Sequence, residues 1–261
     1  MNIAVCVKQV PDASEVKIDP ATGTMKREGV PAILNPFDGY AVEEAVRLKE
    51  KSGGKVTAVT MGPPQAAEML RHVVAMGVDD VLLLSDRAFA GADTWATSYT
   101  LGLGLKKVEA LDLVICGKQA IDGDTAQVGP GVAENLGIPF VAYVRKIIEV
   151  SDGKMKVERL IEDGYEVVEV TLPAVITVVK EINEPRMPSL KGKMKAKGLT
   201  INTLDGAALG AIPENIGLAG SPTRVVKVFT PPAKGSREML SGSADEQVAA
   251  LMDKLHGLKV V

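Results

Sequence analysis

Several things this 261-residue chain lacks narrow its function. Aromatic residues are only 3% of it, with a single Trp, so it offers few platforms for stacking nucleic-acid bases. Charge is nearly balanced, 30 basic against 33 acidic residues, which gives no electrostatic footprint for a polyanion. There are two histidines, His72 and His256, and neither falls in a spacing that suits a triad or a metal set. The two cysteines, Cys6 and Cys116, lie inside apolar runs and read as small buried hydrophobes in a reducing compartment. No apolar run approaches the length of a membrane span, and Met1 to Lys8 enters a strand too early for a signal peptide. These features predict a cytoplasmic protein with no nucleic-acid partner and no membrane insertion. Neither a Gly-x-Gly-x-x-Gly after the first strand nor a Walker loop occurs, which disfavours an ordinary Rossmann dehydrogenase or P-loop enzyme. With no evident acid, base or nucleophile, any chemistry must come from a cofactor.

What is present is an alternation of strands and helices. Ile3–Val7 and Leu111–Cys116 are apolar runs of strand length, and Lys55–Thr60 and Asp80–Leu84 read as the strands between them. Between them, helices are predicted from Asp38 to Gly53, from about Gln65 to Met76, and from Asp93-Thr94 through Val108, with Asp38 as a cap and a Glu43–Arg47 pair on the first one's polar face. This order defines an α/β fold with a doubly wound, mostly parallel, Rossmann-like sheet. Val16–Arg27 reads as a short hairpin. After Pro139, three β-rich segments separated by Ser151-Asp152-Gly153 and Glu162-Asp163-Gly164 read as an antiparallel meander over 140–172. Ala174–Val179 is expected to rejoin the sheet. Asn183–Thr200, with four lysines and no periodicity, reads as an exposed loop. Residues 201–241, rich in Gly and Pro, are expected to wrap a neighbouring subunit, and a helix from about Ala244 to His256 ends the chain. The expected division is an α/β domain over 1–200 and a C-terminal arm over 201–261.

The organising stretch is Leu111–Pro139. Leu113–Cys116 reads as a buried strand that empties into Gly117-Lys118-Gln119-Ala120-Ile121-Asp122-Gly123-Asp124-Thr125-Ala126-Gln127-Val128-Gly129 and then a helix. A helix start at the carboxyl end of a parallel strand presents unpaired N–H groups and is a ready anion site. Lys118, Gln119, Thr125 and Gln127 are donors suited to phosphate oxygens. Asp122 and Asp124 would repel phosphate, so they are expected to cap the helix or accept from ribose hydroxyls. A capped helix with no ligand fits the same residues, because glycine-rich turns are weak signals.

Four motifs in order carry a family resemblance: Ala4-Val5-Cys6-Val7-Lys8, Asn35-Pro36-Phe37 before Val42–Glu50, the loop Gly117–Gly129, and Asn183-Glu184-Pro185-Arg186. Over essentially its whole length the chain resembles the β subunit of electron transfer flavoprotein. The resemblance implies a heterodimer with an α subunit that carries FAD on a mobile domain, and a β subunit that holds AMP or the ADP half of a second FAD. Carried over by position, nucleotide contacts fall on Cys6 (through its backbone), Asn35, Pro36, Phe37, Asp38, Met61 and Gly117 to Val128. Ser85 to Ser98 resembles the electron-bifurcating members, which implies FAD here and a hydride from NADH. Arg87, Gly91, Asp93, Thr94 and Thr97 are the residues concerned, and the small residues Ala88 to Ala92 are expected to leave space beside the third strand. The acceptors implied are ferredoxin or flavodoxin on one side and, through the α-subunit FAD, a flavin dehydrogenase such as an acyl-CoA dehydrogenase on the other. Leu190 is the implied anchor for that dehydrogenase. The alternatives are a carrier with only AMP in this site, and a non-redox nucleotide-binding module on the same fold.

Overall fold

A computed structural model describes residues 1–12, 17–18, 25–26, 31–226 and 238–260. In chain order the elements are β1 (Asn2–Cys6), β2 (Gln9–Pro11), β3 (Lys17–Ile18), β4 (Met25–Lys26), β5 (Ala32–Leu34), α1 (Pro36–Ser52), β6 (Lys55–Met61), α2 (Ala67–Met76), β7 (Asp80–Leu84), α3 (Thr94–Leu105) and β8 (Leu113–Gly117). They continue with α4 (Val128–Leu136), β9 (Phe140–Ser151), β10 (Lys154–Ile161), β11 (Gly164–Thr171), β12 (Ala174–Val178), α5 (Leu190–Lys197), β13 (Asn202–Leu204), α6 (Gly206–Leu209) and α7 (Ala244–Gly257). Nine strands form one sheet in the order β11-β10-β9-β12-β8-β1-β6-β7-β13. From β9 to β13 every neighbouring pair is parallel, and β10 and β11 add an antiparallel ribbon at one edge.

The central strands are continuous apolar runs because both faces of the sheet are covered. Alternation along β1 sends Ile3 and Val5 to one face and Ala4 and Cys6 to the other. On the first face the strands pack on Val42 and Val46 of α1 and Leu70 and Val73 of α2. On the second they pack on Leu101 and Leu105 of α3 and Val132 of α4. Leu70, Leu105 and Ile115 are fully buried, and each such side chain contributes about 1.5–3 kcal/mol by leaving water. Cys6 and Cys116 are buried free thiols that face each other in register across β1 and β8. The hydrogen bond with the Cys6 thiol, and then burial, push the Cys116 pKa well up.

The meander and the return of β12 stand where they were expected. Asp152 and Gly153, with φ of 51° and 71°, make the tight β9–β10 turn. The hairpin expected over Val16–Arg27 is present as the antiparallel pair β3 and β4, and its turn and flanks lie outside the described residues. Two readings are corrected. Asn183–Thr200 is not a loop: it holds α5, whose Ser189 cap accepts from the Gly192 amide at 3.0 Å. Only Ala196 is buried in that helix, so it has no apolar stripe to announce it. The sheet also extends beyond residue 200, since β13 pairs with the edge strand β7 and Leu209 and Ile216 enter the second core. Of Val225–Phe229, Val225 and Val226 are exposed, and the rest lies outside the described residues. Helix α7 has a full capping box, Ser243 with Glu246, and buries no residue. Among the described residues no helix is long and apolar enough to cross a membrane.

Candidate functional site

The site is built where β1, β8 and α1 meet. Chain leaving β1 turns at Lys8, whose amide donates to Asp38 Oδ2 at 2.7 Å. Asn35 Nδ2 donates to Asp38 Oδ1 at 2.9 Å, and the Gly117 amide approaches the same carboxyl. Asp38 is therefore not the cap that its sequence position suggested: the N-cap position is Asn35, which makes no side-chain cap bond. Burial pushes the Asp38 pKa up to about 7, opposed by the hydrogen bonds from Asn35, Lys8 and Gly117 and by the Lys8 charge. A Cβ on Gly117 would collide with Asp38 Oδ1 and with the Phe37–Asp38 backbone, so close approach dictates glycine there.

Asn35 is 1% exposed and holds the next loop by its backbone. Its Nδ2 also donates to the Gln119 carbonyl at 2.9 Å, and its Oδ1 accepts from the Ile121 amide at 3.2 Å. Lys8 reaches across to Asp122 at 2.6 Å. The Asp124 amide donates to the Ala120 carbonyl at 2.8 Å, and Gln119 donates to the Asp124 carboxylate. Asp122 and Asp124 therefore do not cap α4, whose N-cap position is Gln127 with no side-chain cap. Asp124 and Ala126 both have φ of 55°, and Gln127 returns to the right-handed region. Left- and right-handed residues in succession aim consecutive amides into one concavity, an anion-binding arrangement. Among the described residues, the amides of Asp122, Gly123, Thr125, Ala126, Val128 and Gly129 donate to no protein acceptor. Pro130 does not break α4, because it lies in the first turn, where amides lack helical partners anyway.

The loops after β7 and β8 touch through Thr94 Oγ1 and Thr125 Oγ1, 3.4 Å apart. Other residues expected on this side are differently employed. The Asp93 carboxylate caps α3 at Trp95 and Ala96, at 3.0 and 3.1 Å, and accepts from Thr223 Oγ1 at 2.8 Å. Gly91, at φ 76°, packs on Leu218, which partly fills the space that Ala88–Ala92 were expected to leave. Arg87 is exposed on a single 3-10 turn. Thr97 is half-buried, and its amide bonds the Asp93 carbonyl. Cys6 is buried at the end of β1, Pro36 opens α1, and Phe37 runs past Gly117. Met61 lines a separate cleft of about 340 Å³ with Lys8, Gln9, Pro11 and Gln65. Sequence reasoning quoted Lys8 in a motif without giving it a role here, and missed Tyr143, Thr177, Ser221 and Thr223 as neighbours of these loops, since no local pattern marks those four.

Asn183-Glu184-Pro185-Arg186 clamps the chain before α5 onto α1. Arg186 Nε bonds Glu43 Oε2 at 2.8 Å and Nη1 bonds Glu50 Oε1 at 2.6 Å. Asn183 Nδ2 donates to the Tyr40 carbonyl and to Glu44, each at 3.0 Å. Glu43 is not on a solvated face: it is 2% exposed and paired with both Arg47 and Arg186. Burial opposes its ionisation, and hydrogen bonds from Arg186 and Arg47 overcome that to hold its pKa down. From this clamp α5 presents Leu190 and Met194, 77% and 69% exposed, one turn apart.

A doubly wound, mostly parallel sheet with unpaired loop amides at the carboxyl ends of its central strands defines an α/β protein of the doubly wound class. Residues 22–209 match the family model described as the electron transfer flavoprotein domain. The chain is 55% identical to the caffeyl-CoA reductase-Etf complex subunit CarD of Acetobacterium woodii, over 98% of each chain. It is 51% identical to the electron transfer flavoprotein subunit beta of Thermoanaerobacterium thermosaccharolyticum over 100% of each. It is 47% identical to the acryloyl-CoA reductase electron transfer subunit gamma of Anaerotignum propionicum over 98% of each. The chain belongs to the electron transfer flavoprotein family, as a β subunit.

Proposed function

We propose that this chain pairs with an electron transfer flavoprotein α subunit and holds FAD in the loop after β8. With that cofactor it takes electrons from NADH and divides them between two routes. One leads to ferredoxin or flavodoxin, the other through the α-subunit FAD to a flavin dehydrogenase such as an acyl-CoA dehydrogenase. The observation that carries the reading is the set of six amides between Asp122 and Gly129, all but those of Asp124 and Gln127, that have no protein acceptor among the described residues and lie around two left-handed residues. Such a concavity fits the phosphates of an adenine nucleotide, and Lys118, Gln119, Thr125 and Gln127 stand along it as further donors. Asn35 and Asp38 keep the loop on α1, and Lys8 partly offsets the charge of Asp122. Bound FAD would supply the redox chemistry, for which the chain itself has no group.

The relatives named as parts of caffeyl-CoA and acryloyl-CoA reductase assemblies support a dehydrogenase or reductase partner. Leu190, exposed at the start of α5 with Ser189 before it and Lys191 and Lys193 after it, suits a small apolar anchor edged by charge. The arm supports an α-subunit interface, since α7 leaves Val248, Leu251 and Met252 uncovered. AMP in the same loop is the second reading, favoured by Leu218 against Gly91. Flavin and AMP counts in the purified heterodimer, with anaerobic NADH titration, decide between them. A second FAD per pair and bleaching by NADH are expected. One FAD with one AMP, and no bleaching, returns the simpler carrier.

A further inference from the structure

Tyr143 is a bulky residue held at φ 60° within β9. That conformation is a genuine outlier for such a side chain and persists only where its surroundings impose it. Here they do. The β9–β12 register slips between Ile176 and Val178, so that β9 carries an extra residue between Val141 and Val144. The Tyr143 amide is turned to the buried hydroxyl of Thr177, donating to its Oγ1 at 3.1 Å. Bulges of this kind re-aim a side chain, often beside a site. The register through β12 and β8 places Tyr143 level with Cys116 and Gly117, at the mouth of the amide-lined loop.

The ring meets the Lys118 ammonium, 5.6 Å from its centroid. Lys118 is the first residue of that loop, and its amide is fixed on the Val178 carbonyl at 2.9 Å. The contrast with the loop's other lysine is informative. Lys8 is ion-paired with Asp122, which cancels much of its charge toward a ligand. Lys118 has no carboxylate partner among the described residues. An aromatic face holds an ammonium by its quadrupole without neutralising it and without accepting its N–H donors in full. Thr177 also abuts Gly129, where a Cβ would collide with its methyl, so the bulge and the start of α4 share one support.

We propose that Tyr143 is a positioning residue whose strained bulge holds Lys118 as the uncompensated cation of the phosphate-binding loop. This rests on the nucleotide reading given above. Lys118 touches the anion, and Tyr143 acts only through it. The test uses the full chain co-purified with its α subunit and stripped of nucleotide, with AMP as the probe in calorimetry. Tyr143→Leu should weaken AMP binding about fivefold, the loss of one such contact, and Tyr143→Phe should retain wild-type affinity. Tyr143→Leu added to Lys118→Met should cost nothing more. In spectra of isotopically labelled lysine, the ring-current shift of the Lys118 ε-methylene should disappear in Tyr143→Leu. A leucine at φ 60° invites misfolding, so Tyr143→Gly, which relieves the strain, is measured beside it and should show the same loss of affinity despite equal or higher stability. Wild-type binding with unchanged affinity in both variants, or an unchanged Lys118 shift, overturns the inference alone. A wild-type protein that binds no AMP overturns the nucleotide reading and this inference with it.

Discussion

Replacing Arg186 with Ala tests whether the segment that presents Leu190 is held by charge on α1. The guanidinium spans two carboxylates, Glu43 at 2.8 Å and Glu50 at 2.6 Å. The Glu50 pair is at the surface and contributes at most about 1 kcal/mol. Glu43 is 2% exposed, and stripping the partner from a buried charge costs about 3–5 kcal/mol. Two facts reduce that figure: the Arg186 side chain is 32% exposed, and Arg47 remains on Glu43 at 2.5 Å. We expect a net loss of about 2–3 kcal/mol, which lowers the melting temperature by about 5–10 °C. The sign with pH follows from the depressed pKa of Glu43. Its stabilisation is present above the ordinary glutamate range and is lost as pH falls through the lower, folded-state value. The variant therefore suffers most near neutral pH, and the gap to wild type narrows on acidification. Arg186→Lys should recover only part of the loss, because an ammonium cannot fork across two carboxylates. Denaturant unfolding at pH 7 and at about pH 3, below the ordinary glutamate value of 4.5, measures this, and a loss below about 0.5 kcal/mol at pH 7, typical of an ordinary surface site, would refute the clamp.

Four further outcomes are expected. Gly129→Val should destabilise the fold by about 1–3 kcal/mol through overpacking against Thr177 and Phe140. Gly123→Val, whose Cβ meets only Lys8 Nζ at 3.9 Å, should leave stability unchanged and lower nucleotide occupancy, so full occupancy there would count against the loop as the phosphate site. Leu190→Ala should slow electron delivery to the dehydrogenase while flavin content stays constant, and stopped-flow kinetics equal to wild type would remove the anchor. Asp38 has a folded pKa raised from 3.8 to about 7, so its protonated form favours the fold, and the associated stability is present below pH 4 and lost as pH rises through about 7. Urea midpoints of wild type and Asp38→Asn across that window should converge toward acid pH, and parallel curves would show that Asp38 does not titrate there.

Much of this architecture was legible in order. Ile3–Cys6, Val81–Leu84 and Leu113–Cys116 are apolar throughout, Val56–Thr60 adds only two threonines to its apolar residues, and helices of ordinary length separate them. Only a two-sided parallel sheet satisfies both facts. Turn chemistry at Asp152-Gly153 marked the meander equally well. Helix α5 escaped notice because a helix that buries Ala196 alone leaves no periodic trace, although its Ser189 cap was there to be seen. Strand β13 escaped because three residues carry too little pattern, and its place at the sheet edge is decided by pairing with β7.

At the site, the chain order alone determined that a polar, glycine-containing loop follows β8 and leads into a helix. It did not determine what the loop's acids do. Asp122 and Asp124 look like caps in sequence, but an ion pair with Lys8, 114 residues away, and a bond from Gln119 take them. Asp93 carries its helix-cap signature openly, whereas its bonds to Thr223 depend on a segment 130 residues downstream. Local propensity is written in neighbours along the chain, so capping, alternation and turns could be read directly. The bonds that Lys8 and Gly117 make to Asp38, Arg186 to Glu43, Lys8 to Asp122 and Tyr143 to Thr177 join strands and helices brought together by the fold, and only the tertiary structure could assign them.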